Sequence, residues 1–140
     1  MFQTNVPQTN GAFFICALSH GAAAAAHLGD PQLVKQVQTD FTQADISPKL
    51  KALLAIAGKV QQDGKLVTAA DVEAARKQGA TDLEIHDTVL IAAAFCMYNR
   101  YVDGLATVQP ADPAAYTQMG RQLAENGYSM PAVREAASVA

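Results

Sequence analysis

Cys16 is followed four residues later by His20, inside the apolar segment Ala12-Phe13-Phe14-Ile15-Cys16-Ala17-Leu18-Ser19-His20-Gly21. On an α-helix that spacing sets thiol and imidazole on one face, one turn apart. A thiol is nucleophilic as its thiolate, and a base or cation one turn away, together with the positive end of a helix dipole, lowers its pKa. Asn10-Gly11 would start the helix close before Cys16, which puts the thiol near that positive end. The chemistry this suggests is a Cys16 of depressed pKa with His20 taking its proton. The plainer reading is a small buried thiol beside a satisfied core histidine, and an isolated pair of this kind favours it.

Other residues invite the same weighing. Cys96, in the apolar run 89–98, is the other cysteine of the chain and the candidate internal resolver of an oxidised Cys16, although a cysteine in such a run usually packs. Two cysteines eighty positions apart make a poor disulfide framework, so a reducing, cytoplasmic compartment is expected. His27 lies two turns beyond His20, but one helix does not easily converge ligands from three successive turns on one ion, and no metal site is assigned. His86, beside Glu84 and Asp87, reads as a surface or capping residue. Asn99-Arg100-Tyr101 with Asp103 closes an apolar helix, either lining the Cys16 pocket or pairing structurally, with structural pairing preferred. Phe13 and Phe14 read as an apolar wall of the site or as core.

Helices must position these groups. Asn10-Gly11 opens a first helix that stops at Gly29. Asp30-Pro31 caps a second, to about residue 38. Ser47-Pro48 opens a third, with Leu50, Leu53, Leu54, Ala57 and Val60 on one stripe, ending near Gly64. Thr68 with Asp71 and Thr81 with Glu84 have capping-box spacing. The helix from Thr81, about 82–105, is apolar on every side through its middle and is expected to be central, covered by the other helices or by another subunit. Asp112-Pro113 caps a sixth, carrying Tyr116, Met119 and Leu123 and stopping at Gly127; residues 131–140 form an Ala-rich tail. No alternating strand pattern competes. The expectation is an all-α, single-domain orthogonal bundle of about six helices over residues 1–140, with a motif helix at about 11–28.

Composition narrows the function. Of 140 residues, 50% are hydrophobic and 16% charged, which is too apolar for disorder. The formal charge is −3 and the basic residues are scattered, so no stripe exists to hold phosphates and nucleic-acid binding is not expected. No Lys or Arg precedes Lys35, which argues against a signal peptide. The longest apolar run is about half of the roughly 20 residues a membrane span requires.

With a Cys-x-x-x-His helix near its start and Ile85-His86-Asp87-Thr88-Val89-Leu90-Ile91 leading to Tyr98-Asn99-Arg100-Tyr101-Val102-Asp103, the chain resembles the AhpD-like family over about residues 10–128. That family embraces alkylhydroperoxidase D, peroxidase-related proteins and carboxymuconolactone decarboxylases. Its peroxidases carry Cys-x-x-Cys-x-x-x-His, and the resemblance makes Cys16 the attacking thiol and His20 its activator. Phe13 stands where the resolving cysteine would be, and no acidic residue precedes Asp30 to match the family's upstream proton-relay glutamate. A sulfenic acid formed here would need an external thiol reductant or Cys96. The resemblance thus implies a thiol-dependent peroxidase acting on hydroperoxides, without a cofactor, in a homo-oligomer. Alternatives are a member that has lost the chemistry and serves as a small-molecule-binding or structural oligomer, and a decarboxylase-type lyase. Glu73, Glu84 and Glu125 remain as acidic groups a neighbouring subunit could supply.

Overall fold

The computed structural model describes residues 12–106, 110 and 112–129, without the side chains of residues 12–15 and 113. Among the described residues six α-helices follow one another, α1 (Ala12–Leu28), α2 (Pro31–Asp40), α3 (Pro48–Gln62), α4 (Ala69–Lys77), α5 (Asp82–Gly104) and α6 (Pro113–Asn126), with a 3-10 turn at Gly64–Leu66. No strand occurs among the described residues.

The boundaries follow from side-chain chemistry at the helix starts. Asp30 accepts the Leu33 amide at 2.9 Å, Ser47 that of Leu50 at 3.1 Å, and Asp112 that of Ala114 at 2.9 Å, each with proline following. Thr81 and Glu84 close a reciprocal box: the Glu84 amide donates to Thr81 Oγ1 at 3.1 Å, and the Thr81 amide to Glu84 at 2.8 Å. At Thr68 the bond runs from its amide and hydroxyl to Asp71 Oδ2, both at 2.8 Å. Gly29 ends α1 at φ 65°, in the left-handed region that favours glycine. Asn10 and Gly11, read as the start of α1, and the tail 131–140 lie outside the described residues.

The helices pack in two groups joined by a contact between α1 and α5. In one, α3, α4 and α5 bury Leu53, Ile56, Ala75, Ala80 and Ile85, with Ile56 and Ala75 fully enclosed. The stripe expected on α3 is therefore turned: Ile56 and Leu53 point inward, whereas Leu50 is 41% exposed. In the other group α1 lies between α2 and α6. Buried Ala23, Ser19 and Tyr116 line that seam, and Gly120 of α6 comes so close that a Cβ there would fall 2.4 Å from the Ala22 Cβ. Met119 of α6 is 41% exposed.

Of the two covers expected for α5, the other helices of the chain or another subunit, the first is incomplete among the described residues. Of its residues only Ile85 is buried, while Leu90, Ile91, Met97, Tyr98 and Tyr101 are each more than half exposed. The physical reason is its position at the edge of both groups. α3 and α4 cover one flank and α1 touches it, and no further helix of the described chain closes the other side.

Candidate functional site

Cys16 and His20 sit one turn apart on α1, both half-buried, on the side that meets α5 and the end of α6. The imidazole is held by both nitrogens. Nδ1 lies 3.0 Å from the carbonyl oxygen of Cys16, an acceptor, so Nδ1 carries the hydrogen and donates it. Ser19 Oγ stands 3.4 Å from the same nitrogen. Nε2 lies 2.9 Å from the Tyr128 hydroxyl; on the neutral ring that hydroxyl donates to the Nε2 lone pair. Phe95 of α5 packs edge-on against the ring, with centroids 4.9 Å apart at 89°.

His20 thus contacts the backbone of Cys16 rather than its sulfur: among the described residues, neither ring nitrogen is bonded to the thiol. The surroundings of the sulfur correct the expectation of a depressed pKa. Burial pushes the Cys16 thiol up, because the charged form loses water, and the Asp103 carboxylate of α5 pushes it up further by like-charge repulsion.

The remaining sequence candidates separate. Cys96 is a free cysteine whose sulfur lies 4.0 Å from the Gln61 carbonyl, so it is turned toward α3, whereas its neighbour Phe95 faces α1. Arg100 donates to the Cys96 carbonyl at 3.2 Å, within its own helix. Asn99 keeps a buried Oδ1 with no hydrogen-bond partner among the described residues. His86 is exposed and pairs with Asp87 at 3.2 Å, and His27 is exposed at the end of α1. Phe13 stands on α1, but its side chain lies outside the described residues. Among the described residues no group of three or more His, Cys, Asp or Glu side chains is arranged to hold a metal ion. Glu84 is already engaged, bridging Lys49 at 2.6 Å while it caps α5. Glu73 lies 3.9 Å from Arg76, and Glu125 is exposed.

Two site residues escaped the sequence reading. Phe95 sat in an apolar run with nothing to mark its direction. Tyr128 lies 108 residues from the histidine it holds, and no local spacing announces such a contact.

A helical bundle carrying a Cys/His pair one turn apart on its first described helix is an AhpD-like arrangement, and the comparisons agree. The chain is similar to the alkylhydroperoxidase AhpD core structure of an uncharacterized peroxidase-related protein from Ralstonia eutropha JMP134, with 32% identity and a TM-score of 0.64 over 76% of this chain and 54% of that one. It is also similar to an uncharacterized peroxidase-related protein from Silicibacter sp. TM1040, with 29% identity and a TM-score of 0.65 over 77% of this chain and 55% of that one. No family model and no curated protein matches it. The chain shares its fold with these AhpD-like, peroxidase-related proteins, and it spans about half the length of the solved structures it matches. Among the described residues no helix is long and apolar enough to cross a membrane.

Proposed function

We propose that the chain is a thiol-dependent, peroxidase-related protein that reduces hydroperoxides at Cys16. The observation that carries this reading is the Cys16/His20 pair on α1, within the fold shared with proteins described as peroxidase-related. In the reaction the Cys16 thiolate attacks the distal oxygen of a hydroperoxide. The O–O bond breaks, the sulfur is oxidised to a sulfenic acid, and the alkoxide leaves with a proton as an alcohol. The thiol proton goes to His20 Nε2, which is a free base only once the Tyr128 hydroxyl has left it. With Phe13 at the position of a resolving cysteine and the Cys96 sulfur turned toward α3, the sulfenic acid condenses with an external thiol, releasing water. A second thiol then returns Cys16 to its resting form as an external disulfide.

A second reading is favoured by the raised thiol pKa and by the engagement of both His20 nitrogens: a family member that has given up the chemistry and binds small molecules. A shallow groove of about 450 Å³ between α1, α2 and α6, lined by Leu18, Gly21, Val34 and Tyr116 among others, would be its site. One experiment separates the two. The protein and His20→Ala are exposed to hydrogen peroxide and to an organic hydroperoxide, and both thiols are followed by mass spectrometry. Oxidation of Cys16 well ahead of Cys96, slowed in His20→Ala, supports the peroxidase. Oxidation of the two thiols at equal rates, indifferent to His20, overturns it and leaves the binding protein.

A further inference from the structure

One polar group at the junction of the two packing groups takes no part in the contacts of Cys16 and His20: the Asn99 carboxamide, whose buried Oδ1 has no hydrogen-bond donor among the described residues. Its place follows from its neighbours on α5. Phe95, four residues before it, packs its ring edge-on against His20, and Asp103, four residues after it, acts electrostatically on Cys16. Helix residues four apart lie one turn apart and about 40° round from each other. Asn99 therefore stands midway between Phe95 and Asp103, in level and in direction, beside the turn of α1 that carries Cys16 and His20. α3 runs alongside α5 from the Lys49–Glu84 pair to the Gln61 carbonyl beside Cys96 and ends at Gln62, so among the described helices α1 is the one that continues along Asn99. A buried carbonyl oxygen without a donor is a cost that folded proteins rarely carry without a use.

We infer that Asn99 Oδ1 is the acceptor that holds the O–H of the hydroperoxide while Cys16 attacks it, an inference that rests on the peroxidase reading. An unpaired acceptor calls for a ligand that brings a hydrogen. A hydroperoxide brings one, on the distal oxygen, which is the atom the sulfur attacks. The S–O bond forms as the O–O bond breaks, and the hydroxyl hydrogen stays on the transferred oxygen to become that of the sulfenic acid. Oδ1 therefore holds the same hydrogen from substrate to product, which fixes the distal oxygen in front of the sulfur. The alkoxide leaves with the proton that His20 took from the thiol. A carboxamide does not titrate, so it orients the substrate without adding charge beside a thiolate, whereas a carboxylate in its place would repel one. The oxygen is closed off in the resting arrangement, as His20 Nε2 is by Tyr128, and both are reached when the junction opens.

Two reagents for Cys16 test this. tert-Butyl hydroperoxide carries one O–H; methyl methanethiosulfonate also reacts with the thiolate but carries none. Asn99→Leu keeps the branched shape of the side chain and removes its polar atoms. In a Cys96→Ser background, which leaves Cys16 as the thiol followed, Asn99→Leu should slow oxidation by the hydroperoxide roughly three- to tenfold, the effect of one lost hydrogen bond, and leave the thiosulfonate rate unchanged. If Asn99→Leu fails to fold, Asn99→Ala is read against the same two reagents. An equal fall in both rates would make Asn99 a structural part of the helix junction, and two unchanged rates would place it outside the reaction; either result overturns the inference. Failure of the peroxidase reading itself shows separately, in the chain with Asn99 and Cys96 intact, as a Cys16 that the hydroperoxide oxidises no faster than Cys96, and it overturns both.

Discussion

Replacing Gly120 by alanine should destabilise the protein, although alanine is the better helix former by about 1 kcal/mol in a helix interior. The reason is local. The added Cβ would lie 2.4 Å from the Ala22 Cβ and 2.9 Å from both the Ala22 carbonyl carbon and the Ala23 nitrogen, where contact distances of about 3.5–4.0 Å are normal. Two of those three neighbours are backbone atoms and cannot swing aside, so α6 must retreat from α1 by about 1 Å. Overpacking of this kind costs about 1–3 kcal/mol, which offsets the propensity gain and leaves a net loss of up to roughly 2 kcal/mol. Gly58, in the middle of α3 with nothing within 4 Å of its Cβ position, is the control: Gly58→Ala should stabilise by roughly 0.5–1 kcal/mol. Urea titration and thermal melting by circular dichroism read both, with melting shifts of opposite sign amounting to roughly 3–5 °C per kcal/mol for a chain of this size. Equal stabilisation by the two substitutions would refute the close approach of α6 to α1, and with it the placement of Tyr128 against His20.

Tyr128→Phe removes the hydroxyl from His20 Nε2, and the alkylation rate of Cys16 near neutral pH should rise; an unchanged rate would mean that the bond does not restrain the ring. Asp71 accepts Lys59 Nζ at 2.6 and 2.7 Å as well as the Thr68 bonds, which hold its carboxyl at about 2, and Glu84 is held at about 2 by Lys49 and Thr81. Both folded values lie below the unfolded ones of about 4, so the stabilisation is present above pH ~4 and disappears as the pH falls toward about 2. Asp71→Asn should therefore lower stability at pH 7 and make no difference near pH 2, as read by denaturant titration; a deficit that persists at pH 2 would point to the lost cap geometry instead. Ile56→Ala, at the one fully enclosed large side chain of the described core, should lose about 2–5 kcal/mol, and a loss under 1 kcal/mol would show that α3 does not seat where described.

Helix starts were legible because they are written in single residues. Asp30, Ser47, Thr81 and Asp112 each hold a first-turn amide, and proline or a paired glutamate sits where the caps require it. The ends at Gly29 and Gly127 were legible too, since both glycines take positive φ. Helical direction was harder to read. The α3 pattern admits two stripes, and the choice of Ile56 over Leu50 is made by Ala75, Ala80 and Ile85 on other helices. For α5, an all-apolar middle does not say whether a sibling helix or another molecule covers it. At the site, spacing placed Cys16 and His20 correctly but gave the wrong sign for the thiol. Burial and Asp103 are tertiary facts, as is the Tyr128 bond that occupies Nε2.

The way the two packing groups divide the chain bears on how it folds and opens. The buried cluster of α3, α4 and α5 lies between residues 53 and 85, so its contacts close short loops and should form early. The seam of α1 with α6 joins the two ends of the chain, and the His20 to Tyr128 bond closes a loop of 108 residues. Closing so long a loop is entropically more demanding. It should dock last and fray first, with amide exchange on α1 and α6 faster than on α3. Cys16 rides on that late-closing half. Its accessibility at neutral pH is then governed by a partial opening of the bundle, and its reactivity should rise in urea concentrations too low to unfold the core.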